Sequence, residues 1–412
     1  RPTRMRYGHV VDPATGAVID EAMAVYLRAP RSFTREDVVE ISVHGGPLPA
    51  QATLDLCLAA GARLARPGEF TMRAFLNGRI DLSQAEATLD VIRARTDAAL
   101  ALAQAQLGGW LAREVRAARA ALLEALAYVT VVVDFPEDEV EPQDIGPQLR
   151  AGLAAVEGLL RGADQGIIYR QGARAALVGV PNVGKSSLLN ALLRADRAIV
   201  TPVPGTTRDT LEETANLAGV PVVLVDTAGI HASDDPVERL GVERSRAALA
   251  GADLALLVFD ASRPLAEGDL SIAALTREKP TILVWNKVDE GTAPAGAPPG
   301  LDHPRLLAAV ATSARTGAGV DELAAAVARA LLGGVTPAAG EARLVSSPRH
   351  RDALRRAREH LAAALAGWEG GHPTDLLGGD LTAALNALGE ITGETVGDDL
   401  LDVIFSRFCI GK

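Results

Sequence analysis

Aromatic residues are scarce: Phe, Trp and Tyr make up 3% of the 412 residues, so Ala, Leu and Val must fill the core. Cysteine is scarcer still. Cys57 and Cys409 lie far apart and form no CxxC pair, which argues against a disulfide scaffold or a Cys-based zinc site and fits a reducing cytoplasm. No run of about 18 apolar residues is free of charge, so no transmembrane helix and no membrane partner are expected. Positive charge is not in excess. A net charge of -11 is the wrong sign for gripping nucleic acid by bulk charge and leaves only local basic patches. The clearest is Arg349, Arg351, Arg355, Arg356 and Arg358, for which a solvated helix face is the plainer reading. The opening RPTRMRYGHV lacks an initiator Met and an apolar signal core. It reads as the middle of a domain, with residues expected before it.

What is present is ordinary globular composition, 48% hydrophobic and 23% charged, at a length that suggests two or three domains. Residues 7–26 alternate around DPATG and predict a hairpin; 37–43 predict a further strand and 49–62 a helix. No proline occurs between Pro67 and Pro136. Ser83 and Glu86 predict a capping box, Gly108-Gly109 a break between helices, and 81–165 is mostly helical in pattern. The acidic turn Pro136-Glu137-Asp138-Glu139 reads as a solvated loop rather than a metal site. From residue 174 the rhythm changes. Short apolar runs at 175–180, 221–226, 253–259 and 280–286, separated by helical stretches, predict a doubly wound parallel sheet that ends near 333. Ser347-Pro348 then opens a second helical region.

Four short motifs carry the chemistry. Residues 179–186, GVPNVGKS, match GxxxxGK[ST] between a predicted strand and a predicted helix, the context a phosphate loop requires. Lys185 is expected on the β- and γ-phosphates and the Ser186 hydroxyl on Mg²⁺. Asn286-Lys287-Val288-Asp289 follows a strand, and Asp289 suits the guanine N1–H and amine. Adenine lacks both donors, so a carboxylate there selects GTP over ATP. Ser313-Ala314-Arg315 would set the Ala314 N–H near guanine O6. Asp226-Thr227-Ala228-Gly229 ends a strand: Asp226 would hold Mg²⁺ through water, and the Gly229 N–H would sense the γ-phosphate. Thr207, in the upstream loop with Thr206, would complete the Mg²⁺ shell. Ile230-His231 follow DTAG where a Ras-like chain has a water-orienting Gln. A carboxylate from the 234–238 segment or a monovalent cation beside Asn182 would have to compensate. Asn182 alternatively only stabilises the loop.

With SFTREDVVEISVHGGP (32–47), ARPGEFTMRAFLNGRIDLSQAEA (65–87) and the terminal FCIGK (408–412), the chain resembles the MnmE/TrmE family of tRNA-modification GTPases along essentially its whole length. That resemblance implies a Ras-like doubly wound α/β G domain inserted into a discontinuous helical domain, behind a small α/β folate-binding domain. The expected units are an N-terminal dimerisation domain at 1–76, a first helical half at 77–172, a G domain at 173–335 and a second helical half at 336–412. It further implies a homodimer that, with an FAD-dependent MnmG partner, installs a carboxymethylaminomethyl-type group at C5 of the wobble uridine of tRNA. A tetrahydrofolate derivative would be the one-carbon donor, and K⁺ would activate GTP hydrolysis by pairing G domains.

Carried onto this sequence, the K⁺ ligands would be Asn182, Thr201, Val203 and Thr206, and the Mg²⁺ ligands Ser186 and Thr207. Glu238 would orient the attacking water, with Lys185 and Thr207 completing the catalytic set. GTP contacts would also come from Val183, Gly184, Ser187, Thr227, Ala228, Asn286 and Lys287, and folate contacts from Glu40, Arg79 and Lys412. The sequence departs from the family where His231 replaces a frequent Arg and Arg79 a common Lys, and where the family's N-terminal strand with its Gly-Arg-Gly is absent. Cys409 reads equally as a buried small residue or a participant in the modification chemistry. The runner-up reading is a ribosome-assembly GTPase of the Era or Der type, which shares PNVGKSS.

Overall fold

The computed structural model describes the chain except for residues 1–3, 136–139, 196–213, 227–245, 293, 295, 299–300, 335–342, 409–410 and 412. A hairpin of β1 (Arg6–Val11) and β2 (Val18–Leu27) turns at Asp12, whose carboxylate accepts from the Ala14 N–H and the Thr15 hydroxyl. With β3 (Val38–Ser42) it makes a three-stranded antiparallel sheet, followed by α1 (Pro47–Ala59). Next come α2 (Glu69–Leu76), α3 (Leu82–Arg93) and α4 (Asp97–Leu107).

The start of α3 differs from the expectation. Asp81, not Ser83, is the N-cap, and it closes a reciprocal capping box with Gln84. Ser83 instead donates to Asp81, and Glu86 is turned inward against Arg349 and His350. The aspartate wins because Ser83 already lies inside the first turn.

Gly108-Gly109 does separate α4 from α5 (Trp110–Asp134), and Gly109 holds φ 74, which suits a residue without a Cβ. α6 (Gly146–Leu160) and α7 (Ala163–Gln171) lead into the large sheet. Its strands are β4 (Ala173–Val178), β5 (Thr214–Leu217), β6 (Val220–Asp226), β7 (Leu254–Asp260), β8 (Thr281–Asn286) and β9 (Leu306–Ala311). They lie in the order β5-β6-β4-β7-β8-β9, all parallel except the antiparallel edge pair β5–β6. Strands buried on both faces read as continuous apolar runs. β7 is the clearest case, with all seven residues buried.

One face of the sheet packs on α8 (Lys185–Ala195) and α10 (Val320–Leu331), the other on α9 (Glu267–Leu275). After the sheet the chain returns as α11 (Pro348–Glu369), α12 (Thr374–Thr392) and α13 (Asp398–Phe405). Leu122 and Val129 of α5 share a core with Leu149 of α6, Leu361 of α11 and Leu381 of α12. Helices from before and after the sheet thus form one bundle, and the α/β unit is inserted within it. Leu82 and Leu89 of α3 share a smaller core with Ile404 and Phe405 of α13. Among the described residues no helix is long and apolar enough to cross a membrane.

Candidate functional site

The site sits at the carboxyl ends of β4, β6 and β8, where a doubly wound sheet leaves a crevice. β4 delivers the chain to Gly179, and α8 begins at Lys185. The loop between them is tightly shaped. Asn182 holds φ 64 and Gly184 φ 94. A Cβ on Gly184 would stand 2.3 Å from Asn286 Nδ2, and one on Gly179 would stand 2.5 Å from the Val258 carbonyl. Both glycines are therefore required by close approach, not by flexibility alone.

Lys185 is 7% exposed and its ammonium donates to the Gly179 and Val180 carbonyls, both at 2.9 Å. Burial lowers its pKa, against the opposing pull of Asp226. An ammonium folded back over its own loop is placed to meet phosphate oxygens entering the same curl. Ser186 Oγ donates to Asp226 Oδ2 at 2.7 Å, so the first turn of α8 and the end of β6 bring the two expected magnesium-side residues together. Ser187 is exposed and Val183 is buried in the sheet core.

At the other end of the crevice, Asn286 is 1% exposed. Its Nδ2 donates to the Val183 carbonyl at 2.9 Å, and its Oδ1 accepts from the Ala314 N–H at 3.1 Å. One side chain thereby ties the phosphate loop to the 312–315 loop. Lys287, at φ 63, donates through Nζ to Asp260 Oδ2 at 2.6 Å. Arg315 Nε donates to Asp289 Oδ2 at 2.7 Å. Hydrogen bonds from Ser313 and then Arg315 hold the Asp289 carboxyl below the usual carboxylate range, so it is an ionised acceptor at neutral pH. Asn286, Asp289, Ser313, Ala314 and Arg315 are thus brought together. Sequence reading placed these residues side by side but missed the Asn286 bond to Val183, because its partner is 103 residues away.

Thr201, Val203, Thr206, Thr207, Thr227, Ala228, Gly229, His231, Glu238, Cys409 and Lys412 lie outside the described residues, as does the acidic turn at 136–139. In the N-terminal sheet, Glu40 is an exposed residue of β3. Arg79 donates to the Ser32 carbonyl at 2.6 Å and lies over the Phe33 ring at 5.4 Å. No hydrogen bond or ion pair joins Glu40 to Arg79.

The basic run on α11 is not one solvated face. Arg355 and Arg358 are exposed, but Arg356 pairs with Glu390 and Arg351 with Asp164. Arg349 grips Glu86 through Nε at 3.1 Å and Nη2 at 2.9 Å. Burial raises the Glu86 pKa, but His350 and Arg349 outweigh it and hold the carboxyl well below its usual range.

Beyond the phosphate loop, a bundle closed by helices from both sides of the sheet is what a generic nucleotide fold lacks. A family model described as the MnmE helical domain matches residues 82–409, and one for the GTP-binding protein TrmE N-terminus matches residues 1–79. The chain belongs to the MnmE family of GTPases. It is 67% identical over 412 residues to the tRNA modification GTPase MnmE of Chloroflexus aurantiacus, covering 100% of this chain and 90% of that one. MnmE of Roseiflexus sp. is 63% identical over 419 residues, with the same coverage. MnmE of Geobacter sulfurreducens is 50% identical over 412 residues, covering 99% of this chain and 90% of the relative. The helical-domain match runs from 82 to 409, on both sides of the inserted α/β unit, and the full-chain relatives are tRNA modification GTPases, so the Era- or Der-type reading is not favoured.

Proposed function

We propose that this MnmE-family chain hydrolyses GTP to drive modification of tRNA at C5 of the wobble uridine, as a homodimer working with an FAD-dependent MnmG partner. The observation that carries the reading is the full-length family match around a crevice whose two ends suit phosphate and guanine. The residues present fit the nucleotide. Gly184 lets the loop curl tightly against Asn286, and Lys185 supplies the charge. Asp289 supplies the acceptor that guanine requires. We assign Mg²⁺ to Ser186 and Thr207, with Asp226 acting through water. Bound there, the ion would offset negative charge on the transferring phosphoryl group.

Asn182, with Thr201, Val203 and Thr206, is assigned to K⁺ in this proposal, and Glu238 to orienting water. What supports the first assignment is that Asn182 is an exposed residue within the phosphate loop, held with a left-handed backbone. Val183 lies within the loop and Ser187 follows it in α8, and Thr227, Ala228 and Gly229 would follow the γ-phosphate. Glu40, Arg79 and Lys412 are proposed for the tetrahydrofolate derivative.

The test is reconstitution of the chain with an MnmG-type protein, FAD, GTP, a methylene-bearing folate, an amine donor (glycine or ammonium) and unmodified tRNA. Nucleoside mass analysis should find a C5-modified wobble uridine only when all are present and GTP is hydrolysed. The same yield with a non-hydrolysable GTP analogue would overturn the reading.

A further inference from the structure

A second concave site lies away from the phosphate loop, where the helical bundle meets the α/β unit. It is a cavity of about 620 Å³ between α3, α4, α7, the start of α11 and α13. That volume is in the range that accepts nucleotide-sized ligands. Its lining is strongly positive although the chain as a whole carries -11. Arg93, Arg95, Arg170, Arg349 and Arg407 face it, against two carboxylates, Glu86 and Asp90.

Those carboxylates are already engaged. Glu86 is held by Arg349, and Asp90 accepts from Arg170 Nε at 2.7 Å. Of the other three guanidinium groups, Arg93 feels the Asp90 carboxylate at longer range, but the hydrogen bonds of Arg93 and Arg95 go to neutral oxygens. Arg93 donates to the Arg407 carbonyl at 2.8 Å, and Arg95 to Thr214 Oγ1 of β5 at 3.1 Å. None of Arg93, Arg95 and Arg407 has a carboxylate within ion-pair distance among the described residues. Leu89, Leu102 and Ile404 give the cavity an apolar floor, which strengthens the field of the arginines above it. The N-terminus of α11 opens on the same space through Ser347 and Pro348, adding partial positive charge.

We propose that this cavity binds phosphate groups, with Arg93, Arg95 and Arg407 as the contacting side chains. Guanidinium forks on an apolar floor suit bidentate contact with phosphate oxygens. An RNA backbone and a free phosphate compound share that chemistry. The RNA source rests on the tRNA reading above; the phosphate site does not.

The experiment uses the full chain saturated with GDP, so that the phosphate loop is occupied. Unmodified tRNA is titrated by fluorescence anisotropy across a KCl series, and inorganic pyrophosphate by calorimetry. The variants are Arg93→Ser/Arg407→Ser and, as a control of equal charge, Arg355→Ser/Arg358→Ser on the exposed face of α11. The cavity pair should weaken tRNA binding by at least about tenfold. It should lower the slope of log K against log salt by about 2. The control pair should change binding by less than about threefold.

Arg93→Lys/Arg407→Lys keeps the charge and should keep most of the salt slope, which separates loss of a contact from loss of the fold. Loss of pyrophosphate heat in the cavity pair with unchanged tRNA binding would support the site with a free phosphate compound as its ligand. A wild-type chain that binds pyrophosphate in the cavity but no tRNA would support the site and count against the tRNA reading. Equal behaviour of the two serine pairs toward both probes would overturn the proposal.

Discussion

Replacing Gly184 with alanine tests why the phosphate loop has its shape. Two costs add. The residue sits at φ 94, and forcing an L side chain into the left-handed region costs roughly 1–2 kcal/mol. The new Cβ also stands 2.3 Å from Asn286 Nδ2, so the amide must move off the Val183 carbonyl. Asn286 is buried, and an unsatisfied buried donor costs about 1–3 kcal/mol. The free chain escapes both costs by leaving this loop conformation, so closing the loop on a fluorescent GDP analogue carries the total of about 2–5 kcal/mol, or roughly 30- to 5,000-fold in affinity. In an Asn286→Ala background the second cost vanishes. Gly184→Ala should then weaken binding only about 5- to 30-fold further. Equilibrium titration of wild type, both single variants and the double variant completes the cycle. If Gly184→Ala costs the same factor in both backgrounds, the contact with Asn286 is not what demands glycine there, and the reasoning fails.

Asp289→Asn exchanges a carboxylate acceptor for an amide that also donates. Competition binding should show GTP weakened by at least about tenfold and xanthosine triphosphate improved, and an unchanged preference would remove Asp289 from the base site. Arg349→Ala leaves Glu86 buried without its guanidinium and should cost about 3–5 kcal/mol in urea unfolding followed by far-ultraviolet circular dichroism. Arg356→Ala, which breaks the more exposed pair with Glu390, should cost under about 1 kcal/mol in the same assay. His350 is fully buried, and burial outweighs Glu86 in pulling its pKa below the usual value. The unfolded chain therefore takes up a proton near pH 6.5 that the folded chain refuses. Stability from this residue is present above that pH and is lost as pH falls below it. A His350→Gln variant should show a flatter stability profile between about pH 6.5 and 5.

What the sequence revealed was local. The strand, loop and helix around Lys185 follow from an apolar run, two glycines and an amphipathic stretch within some two dozen residues, and the structure has them in that order. The hairpin at Asp12 and the break at Gly108-Gly109 were legible for the same reason. Two kinds of feature escaped. β5 is four residues long and pairs antiparallel at the sheet edge, so its apolar signal is too short to separate from a loop. The other losses are non-local. Glu86 and Arg349 are 263 residues apart, and periodicity says nothing of a contact at that range. The same holds for the arginines of the second cavity, which come from four separate stretches of chain. At Asp81 the error was one of competition between two capping residues, settled by which of them stands outside the first turn.

The measurement that bears most directly on the account is GTP hydrolysis by the wild-type chain and Asn182→Ala in matched KCl and NaCl at constant ionic strength. The account predicts a rate in KCl well above that in NaCl for wild type, with the difference lost in Asn182→Ala. Equal slow rates in the two salts for the wild-type chain would contradict it.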